Sequence, residues 1–377
     1  MRVAVVREVR PHERRVALVP DLVGRLTSAG LEVVVEAGAG ASALYSDAEF
    51  EAAGARIAAT DDVLDDADAV LSVQPLEVER TAAMKPGAIT LSFLPVGTEL
   101  AAVRAARDAG VSAFSVELVP RISRAQTMDA LTSQALVAGY RAVLVAAERL
   151  PRFFPLSMTA AGTVPPAQVL VLGAGVAGLQ AIATAKRLGG RVEAYDVRSA
   201  AAEEIRSLGA RFVELDLPSL EGEGGYARAM TEERAQLQRD LLAPHVSQSD
   251  VVITTAAVPG RRAPLLVERA AVEAMRPGSV VIDLAAESGG NVESSVPGAE
   301  VEVGPARLWG GLNVPSQLPV HASRLYAANL VALLLLMTDD GDISPDFADE
   351  IVDAACVTHD GQVRHAATRE LLEGEGE

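Results

Sequence analysis

A glycine-rich turn in the middle of the chain carries the first chemical signal. The turn Gly173-Ala-Gly-Val-Ala-Gly178 follows the apolar run 168–172 and precedes a helical pattern at 179–188. This order is typical of a dinucleotide site: the first glycine makes the turn, the second lets the backbone approach a pyrophosphate, and the third lets helix and strand pack closely. The pyrophosphate is expected at the helix N-terminus. The predicted contacts are Gly173, Ala174, Gly175, Val176 and Gly178.

An acidic residue after the next predicted strand indicates which dinucleotide binds. The predicted strand 191–195 is followed by Asp196, where a carboxylate would accept hydrogen bonds from both ribose hydroxyl groups of NAD. The same charge would repel the 2′-phosphate of NADP. We therefore predict that Asp196, Val197 and Arg198 contact NAD, while the cation at Arg198 leaves NADP open as an alternative.

The elements that must position these residues alternate along the chain. Strand-like and helix-like segments alternate over the first 130 residues or so and again over 168–284, which predicts βαβ units and parallel sheets. A length of 377 residues suits two domains. The remaining predictions are a long helix at 133–150, one or two helices at 317–337, a helix start at Ser344-Pro345 and a tight hairpin turn at 359–362.

The composition restricts the possible partners. The chain has 33 basic and 51 acidic residues and a net charge of −18. This charge excludes general binding to nucleic acid and direct docking on an anionic membrane, because both need a basic surface. The single cysteine, Cys356, suits a reducing compartment, and the five histidines lack the spacing of metal ligands, so no metal site is predicted.

Two stretches are candidates for membrane spans on composition. Residues 153–185 carry no charge, but prolines and glycines divide them into a loop, a strand and a helix start. The apolar run 325–338 is about 14 residues long and too short to cross a bilayer. The N-terminal apolar run is too short for a signal peptide. We therefore expect no direct membrane insertion.

Further segments along nearly the whole chain carry a family resemblance. The most specific is Arg121–Asp129, within Pro120–Leu131. The others, besides the glycine turn and Tyr195–Arg198, are Arg14–Pro20, Gly139–Ala142, Gly225–Met230, Thr254–Gly260 and Asp283–Asn291. Together they resemble the NAD(H)-binding component (domain I, the alpha subunit or its soluble part) of proton-translocating NAD(P) transhydrogenase, a family related to alanine dehydrogenase.

The resemblance implies an architecture and a set of partners. It implies two Rossmann-like α/β domains with parallel sheets, the second inserted in the first, with NAD in the cleft between them. The expected domains are 1–132 plus 315–377, and 133–314. The subunit is expected to be a homodimer that passes hydride directly between its NAD(H) and NADP(H) on a partner component. A membrane-spanning component would couple this step to proton translocation, so the chain is expected to be cytoplasmic and peripheral at the inner membrane through its partners.

The resemblance also assigns residues to the reacting end of the dinucleotide. Hydride transfer between two nicotinamides needs proximity and ring orientation rather than a general acid or base. Arg121 and Asp129 match residues that hold the nicotinamide carboxamide, Gln126 matches one that reaches the partner's cofactor, and Thr132 is placed among the NAD contacts. Without the resemblance, the same segment can be interpreted as a surface loop with a structural Arg–Asp pair.

Two further predictions come from the resemblance. Residues 218–240 form a long insertion that would close over the nucleotide as a lid, with Tyr226 contacting the adenosine. The alternative is a disordered acidic loop. Thr255, Ala256 and Ala257 follow a predicted strand at the carboxyl edge of the sheet and would touch the nicotinamide ribose.

Two other functions remain as alternatives. An alanine dehydrogenase shares the segment Glu13–Ala17 but needs a catalytic lysine and histidine. The matching positions here are the lysine-free segment Ser72–Pro75 and Pro95. Arg15 is the residue of that site that is retained. A non-catalytic NAD-sensing subunit is the second alternative, although sensing would not need the ring-orienting residues.

Overall fold

The structure, a computed structural model, describes residues 1–217, 231–257 and 261–374. They divide into two compact units, Met1–Gln134 with Ser316–Glu377 and Ala135–Pro315. The strands are β1 (Arg2–Val5), β2 (Glu32–Glu36), β3 (Arg56–Ala58), β4 (Ala69–Leu71), β5 (Ile89–Ser92), β6 (Ser112–Ser115), β7 (Ser157–Thr159), β8 (Gly162–Val164), β9 (Gln168–Leu172), β10 (Arg191–Tyr195), β11 (Arg211–Phe212), β12 (Val251–Thr254), β13 (Val280–Asp283), β14 (Glu300–Val303), β15 (Ala306–Gly310), β16 (Thr338–Asp339), β17 (Asp342–Ile343), β18 (Thr358–His359) and β19 (Gln362–Val363).

The helices are α1 (Pro20–Ser28), α2 (Asp47–Ala52), α3 (Val78–Ala82), α4 (Leu100–Asp108), α5 (Ala130–Arg149), α6 (Val176–Arg187), α7 (Ala201–Ser207), α8 (Glu232–Gln248), α9 (Arg269–Glu273), α10 (Pro319–Leu336), α11 (Glu350–Ala355) and α12 (Ala366–Gly374). Short 3-10 segments include Val116–Leu118, Ser123–Met128 and Ala286–Ser288.

The first unit contains a parallel sheet of β3-β2-β1-β4-β5-β6. Strands β1, β4 and β5 at its centre are short runs of mostly apolar and β-branched residues that are largely buried, as parallel strands covered by helices require. Helix α10 packs into the core of this unit, where Tyr326, Leu330 and Leu334 are fully buried. The prediction of a parallel α/β sheet in this part of the chain is confirmed.

The second unit contains the sheet β11-β10-β9-β12-β13-β15-β14. All pairs are parallel except the edge pair β14–β15. The antiparallel edge strand was not predicted. Because β9 lies between β10 and β12, the order of the strands along the chain reverses there, and such a reversal opens a ligand crevice at the carboxyl ends of the strands.

Several local predictions can be compared with the structure. The tight turn at 359–362 is confirmed, because Thr358–His359 pairs with Gln362–Val363 in an antiparallel hairpin. The helix start at Ser344-Pro345 is wrong: the next helix begins at Glu350, where the Asp349 side chain caps it by accepting a hydrogen bond from the Ile351 N–H. The predicted helix 133–150 begins three residues earlier, at Ala130.

Among the described residues, two helices are long and apolar enough to cross a membrane by length and composition alone. They are α5 and α10, in which 44% and 56% of the most apolar window is buried within the protein. The apolar run 325–338 is by itself too short to span a bilayer, but the helix that contains most of it, α10, begins at Pro319 and has 18 residues. A buried core helix passes the same test, so length and composition here are weak evidence for a membrane span.

Candidate dinucleotide-binding site

The glycine turn connects β9 to α6 and tolerates no side chain at two of its glycines. Gly173 has a φ of +100°, and a Cβ there would lie 2.6 Å from Thr255 Oγ1. A Cβ on Gly178 would lie 1.9 Å from the carbonyl oxygen of Gly173. The first glycine thus permits the turn and the third permits the close approach of helix and strand, which are the roles the spacing predicts.

Gly175 differs from its two neighbours in the turn. A Cβ on Gly175 would meet no heavy atom of the described residues within 4 Å. Gly175 is also the N-cap of α6, with an extended backbone, and no side chain within the described residues caps it. Open space beside backbone N–H groups at the positive end of a helix is an arrangement suited to a pyrophosphate.

Three strand ends lie side by side next to this turn. The registers pair Leu172 with Tyr195 on one side and with Thr254 on the other. The residues that follow these strands, Gly173, Asp196 and Thr255, therefore share one edge of the sheet. Sequence spacing predicted Gly173 and Asp196, and the family resemblance predicted Thr255; the sheet topology brings the three together.

Asp196 is almost fully paired. Its Oδ2 accepts hydrogen bonds from the Ala174 N–H at 2.8 Å and from Arg198 Nη2 at 2.9 Å, and its Oδ1 accepts from Arg198 Nε and from the Arg198 N–H, both at 2.9 Å. Burial alone would raise the pKa of Asp196, but the hydrogen bonds from Arg198 and Ala174 outweigh it and hold the pKa below its usual value. Asp196 is therefore ionised at neutral pH.

The turn after β12 is held by side chains on both sides. Thr255 Oγ1 donates a hydrogen bond to the Gly173 carbonyl at 3.1 Å. The side-chain amide of Asn291 accepts from the Ala256 N–H at 3.0 Å and donates to the Ala256 carbonyl at 2.8 Å. Ala257 is exposed at the end of this turn. The predicted residues Thr255 and Ala256 are thus held in place beside the glycine turn, and Ala257 follows them.

Sequence reasoning gave no role to Asp283 or Asn291, although both lie in a segment that carries the resemblance. Asp283 ends β13, is fully buried and accepts hydrogen bonds from Thr254 Oγ1 and the N–H groups of Ala285, Asn291 and Val292. An aspartate at the end of a buried apolar strand was the signal that could have identified it, because a buried carboxylate needs several donors.

The predicted nicotinamide-holding residues belong to the first unit. Arg121 and Gln126 are exposed, Gln126 within the 3-10 segment Ser123–Met128. Asp129 precedes α5 and accepts hydrogen bonds from the Thr132 N–H at 2.8 Å and from Thr132 Oγ1 at 2.6 Å. Asp129 is therefore an N-cap of α5, which explains why the helix begins before the predicted boundary.

The 3-10 segment beside these residues is anchored to the core of the first unit. Ala125 and Met128 are buried in that core. Asn329 Nδ2 on α10 donates a hydrogen bond to the Thr127 carbonyl at 2.8 Å, and Arg124 forms a bidentate ion pair with Asp349. The side chains of Arg121 and Gln126 are thus exposed on a segment whose backbone is fixed.

A buried ion pair is present at the positions shared with alanine dehydrogenase. Arg15 Nε and Nη2 donate to the two carboxylate oxygens of Glu13 at 2.8 and 2.7 Å, and Arg15 Nη1 donates to Gln134 at 2.9 Å. Burial raises the pKa of Glu13, but the hydrogen bonds from Arg15 and Gln74 outweigh it and lower the pKa to about 2. Gln74, from the lysine-free segment, donates to Glu13 at 2.9 Å. Arg15 is therefore part of a hydrogen-bond network with Glu13, Gln74 and Gln134.

Part of the predicted lid lies outside the described residues. This holds for Tyr226 and for all of 218–230. From Glu232 onward the insertion is helical, because α8 begins there with Thr231 as its cap. The part of the insertion from residue 232 to 240 is therefore helical and not a loop, and the closing of the insertion over the nucleotide stays a prediction.

Comparison with known proteins identifies the family. Residues 4–138 match the family described as "Alanine dehydrogenase/PNT, N-terminal domain", and residues 142–366 match "Alanine dehydrogenase/PNT, C-terminal domain". The chain is 45% identical to an NAD(P) transhydrogenase alpha-subunit chain of Rhodospirillum rubrum over 100% of both chains. The chain belongs to the alanine dehydrogenase/PNT family, among the NAD(P) transhydrogenase alpha subunits.

Other members place the chain nearer to transhydrogenase than to alanine dehydrogenase. The transhydrogenase alpha subunit of Haemophilus influenzae is 41% identical over 96% of this chain and 71% of its own length. A solved transhydrogenase from Sinorhizobium meliloti has a TM-score of 0.87, with 45% identity, 96% of this chain and 100% of that chain covered. A solved L-alanine dehydrogenase has a TM-score of 0.83 at 23% identity over 99% of each chain, and shows a shared fold. The chain is therefore an oxidoreductase of the transhydrogenase branch.

Proposed function

We propose that this chain is the NAD(H)-binding subunit of a proton-translocating NAD(P) transhydrogenase. The observation that carries the proposal is the common edge of β9, β10 and β12, where the open N-terminus of α6, the ionised Asp196 and the turn after β12 meet. These groups fit the pyrophosphate, the adenosine ribose and the nicotinamide ribose of one dinucleotide in that order. Family membership supports the same assignment.

The residues around the glycine turn give NAD(H) its binding contacts in this proposal. The pyrophosphate contacts the backbone of Gly173, Ala174, Gly175, Val176 and Gly178. The adenosine ribose contacts Asp196, with Val197 and Arg198 beside it, and the nicotinamide ribose contacts Thr255, Ala256 and Ala257. Tyr226 remains a proposed contact to the adenosine.

The reacting ring is assigned to Arg121, Gln126, Asp129 and Thr132, on the resemblance. Each carboxylate oxygen of Asp129 accepts a hydrogen bond from Thr132 and keeps lone pairs for a carboxamide N–H. Arg121 would donate to the carboxamide oxygen, and Gln126 would reach the second nicotinamide. NAD(H) is a substrate here: hydride, with its two electrons, leaves C4 of NADH and arrives at C4 of NADP⁺, giving NAD⁺ and NADPH with no proton exchanged at the reacting carbons.

A second copy of this chain is the proposed first partner. Strands β7 and β8 pair only with each other within the described residues, and such a hairpin is marginally stable alone. Its segment exposes apolar side chains: Phe153, Leu156, Met158 and Val164 are 58%, 54%, 75% and 40% exposed. Exposed apolar groups of this kind mark an interface. The resemblance to a homodimeric family assigns that interface to a second copy.

The other partners are a component that carries NADP(H) and a membrane-spanning component. Through them the chain would work in the cytoplasm, peripheral at the inner membrane. A net charge of −18 disfavours direct contact with anionic lipid, so a protein partner is the more suitable route to the membrane.

Reconstitution with the partner tests this function. Mixed with the NADP(H)-binding component of a transhydrogenase, the purified chain should catalyse hydride exchange between NADH and an NADP⁺ analogue, followed by absorbance. The chain without that partner is the control and should be inactive. NADH binding with no exchange after the partner is added would favour a sensing subunit. Formation of alanine from pyruvate, ammonia and NADH would favour an alanine dehydrogenase.

A further inference from the structure

Asn291 connects two turns at the carboxyl edge of the second sheet. Its Oδ1 accepts a hydrogen bond from the Ala256 N–H at 3.0 Å, and its Nδ2 donates to the carbonyl oxygens of Ala256 and Pro264, both at 2.8 Å. Asn291 is fully buried. One side chain thus satisfies both polar backbone groups of Ala256 and ties the turn after β12 to the segment that follows it.

Only a side-chain amide of this length suits the position. Pairing with the N–H and the C=O of one residue requires an acceptor and a donor together. A carboxylate offers only acceptors, and a hydroxyl group is too short to span both atoms. Without these partners, the partly buried N–H and C=O groups of Ala256 would be left unpaired, which costs free energy, and the turn would adopt other conformations. The residue type at 291 is therefore set by the backbone of Ala256.

Asn291 is itself fixed by the strand next to the turn. Its N–H donates to Asp283 Oδ2 at 2.9 Å, and Asp283 Oδ1 accepts from Thr254 Oγ1 at 3.0 Å. A series of hydrogen bonds thus connects the end of β13 to Asn291 and Asn291 to Ala256. On the other side, Thr255 Oγ1 donates to the Gly173 carbonyl. The turn of Thr255–Ala257 is thereby held between the glycine turn and Asn291.

We propose that Asn291 is a positioning residue that sets the Thr255–Ala257 backbone for the nicotinamide ribose without touching the dinucleotide. The inference rests on the proposed function, which assigns that ribose to this turn. Loss of the amide frees the turn, and the nicotinamide half of NADH loses its fixed contacts. The adenosine half, which lies at Asp196 and the glycine turn, keeps them.

Calorimetric titration of NADH and of ADP separates the two halves. In Asn291→Ala the Kd of NADH should rise about tenfold, as loss of roughly one to two net hydrogen bonds implies. The Kd of ADP, which lacks the nicotinamide ribose, should change by less than about twofold. Asn291→Ser is the second variant, with the same expected pattern, in case the alanine variant does not fold.

Ser295→Ala is the matched control. Ser295 lies four residues further along the same segment, and its Oγ has no hydrogen-bond partner within the described residues. Its removal should leave both Kd values unchanged. If the role of Asn291 is purely structural, its loss should weaken the binding of ADP and of NADH equally, and that result would overturn the proposal. Unchanged NADH binding in a folded Asn291 variant would also overturn it. If the unaltered chain binds no NADH, the proposed function fails instead.

Discussion

The guanidinium group of Arg198 and the carboxylate of Asp196 form a two-pronged ion pair, with Nε–Oδ1 and Nη2–Oδ2 distances of 2.9 Å each. The side chain of Asp196 is only 8% exposed. The positive charge that left NADP open as an alternative is thus paired with the carboxylate that is proposed to select NAD. Together with the N–H groups of Ala174 and Arg198, these donors supply four hydrogen bonds to the carboxylate, so ribose hydroxyl groups would have to displace part of this ion pair to bind.

Removing this carboxylate should change the choice of dinucleotide. In Asp196→Ala the Kd of NADH should rise about tenfold or more, because two charge-assisted hydrogen bonds to the ribose are lost. NADPH should bind more tightly than before, since Arg198 becomes available to the 2′-phosphate. Calorimetric titration with each dinucleotide measures the ratio of the two Kd values. Glu214→Ala, which removes an exposed partner of Arg206, is the control. An unchanged ratio of the Kd values of NADH and NADPH would contradict the role proposed for Asp196.

The glycine turn offers a matched pair of substitutions. Gly178→Ala should lower the free energy of unfolding by more than about 2 kcal/mol, because the new Cβ would overlap the Gly173 carbonyl and the backbone must shift. Gly175→Ala should change it by less than about 1 kcal/mol, since φ is −74° and the space is open.

Gly175→Ala, which should have little effect on stability, should have a large effect on NADH binding. Gly175→Ala should weaken NADH about tenfold or more, because the methyl group lies where the pyrophosphate approaches the backbone. Denaturant unfolding and calorimetry on one sample give both values. Tight NADH binding by Gly175→Ala would place the pyrophosphate elsewhere.

Asp129 combines a structural and a proposed catalytic role, and two substitutions can separate them. Asparagine is as good an N-cap as aspartate, so Asp129→Asn should leave stability within about 0.5 kcal/mol, whereas Asp129→Ala should cost about 1 kcal/mol. Hydride exchange with the NADP(H)-binding partner should fall about tenfold or more in both, because the carboxamide loses a charged acceptor. Exchange at the original rate in Asp129→Asn would leave Asp129 a helix cap alone.

The pH dependence of stability should report on Glu8. Burial raises its pKa to about 8, and the N–H groups of Val73 and Gln74 offset this only in part. The folded chain therefore holds a proton that the unfolded chain releases near pH 4.5, so this group makes stability fall as pH rises from about 4.5 to about 8. In Glu8→Gln the unfolding temperature should decrease less steeply as the pH rises over this range. Some slope should remain, because burial also raises the pKa of Glu117 to about 7.

Glu302→Gln, at an exposed position, is the control for this measurement and should keep the original profile. An identical profile in Glu8→Gln would mean that water reaches the Glu8 carboxylate in the folded state.

The hairpin of β7 and β8 should control the oligomeric state. Met158→Asp places a charge on the most exposed of its apolar side chains and should convert a dimer into monomers, as measured by sedimentation velocity at micromolar concentration. Leu44→Asp is the matched control, because Leu44 is 73% exposed, close to the 75% of Met158, and lies in the first unit. A dimer that persists in Met158→Asp would place the interface elsewhere.

Much of the second unit could be predicted because its signals are local. Gly173, Gly175 and Gly178 lie within six consecutive residues, and Asp196 directly follows the next strand, so strand, turn, helix and strand could be assigned from pattern alone. The hairpin at 359–362 is local in the same way. Boundaries set by side-chain capping were less accurate: Asp129 and Thr132 begin α5 early, and Asp349 rather than Ser344 begins α11.

The sequence by itself determined the parallel α/β class and the dinucleotide fingerprint, because both depend on residues close together in the chain. It also determined the family, because each of the segments that carry the resemblance is a short run of consecutive residues. Only the tertiary structure decided how these residues are held. The Asn291 amide meets Ala256 across 35 positions, and Arg15 meets Gln134 across 119. Such partners depend on strand order and on burial, which brings distant donors to acceptors that would otherwise be left unpaired. No spacing rule along the chain contains that information.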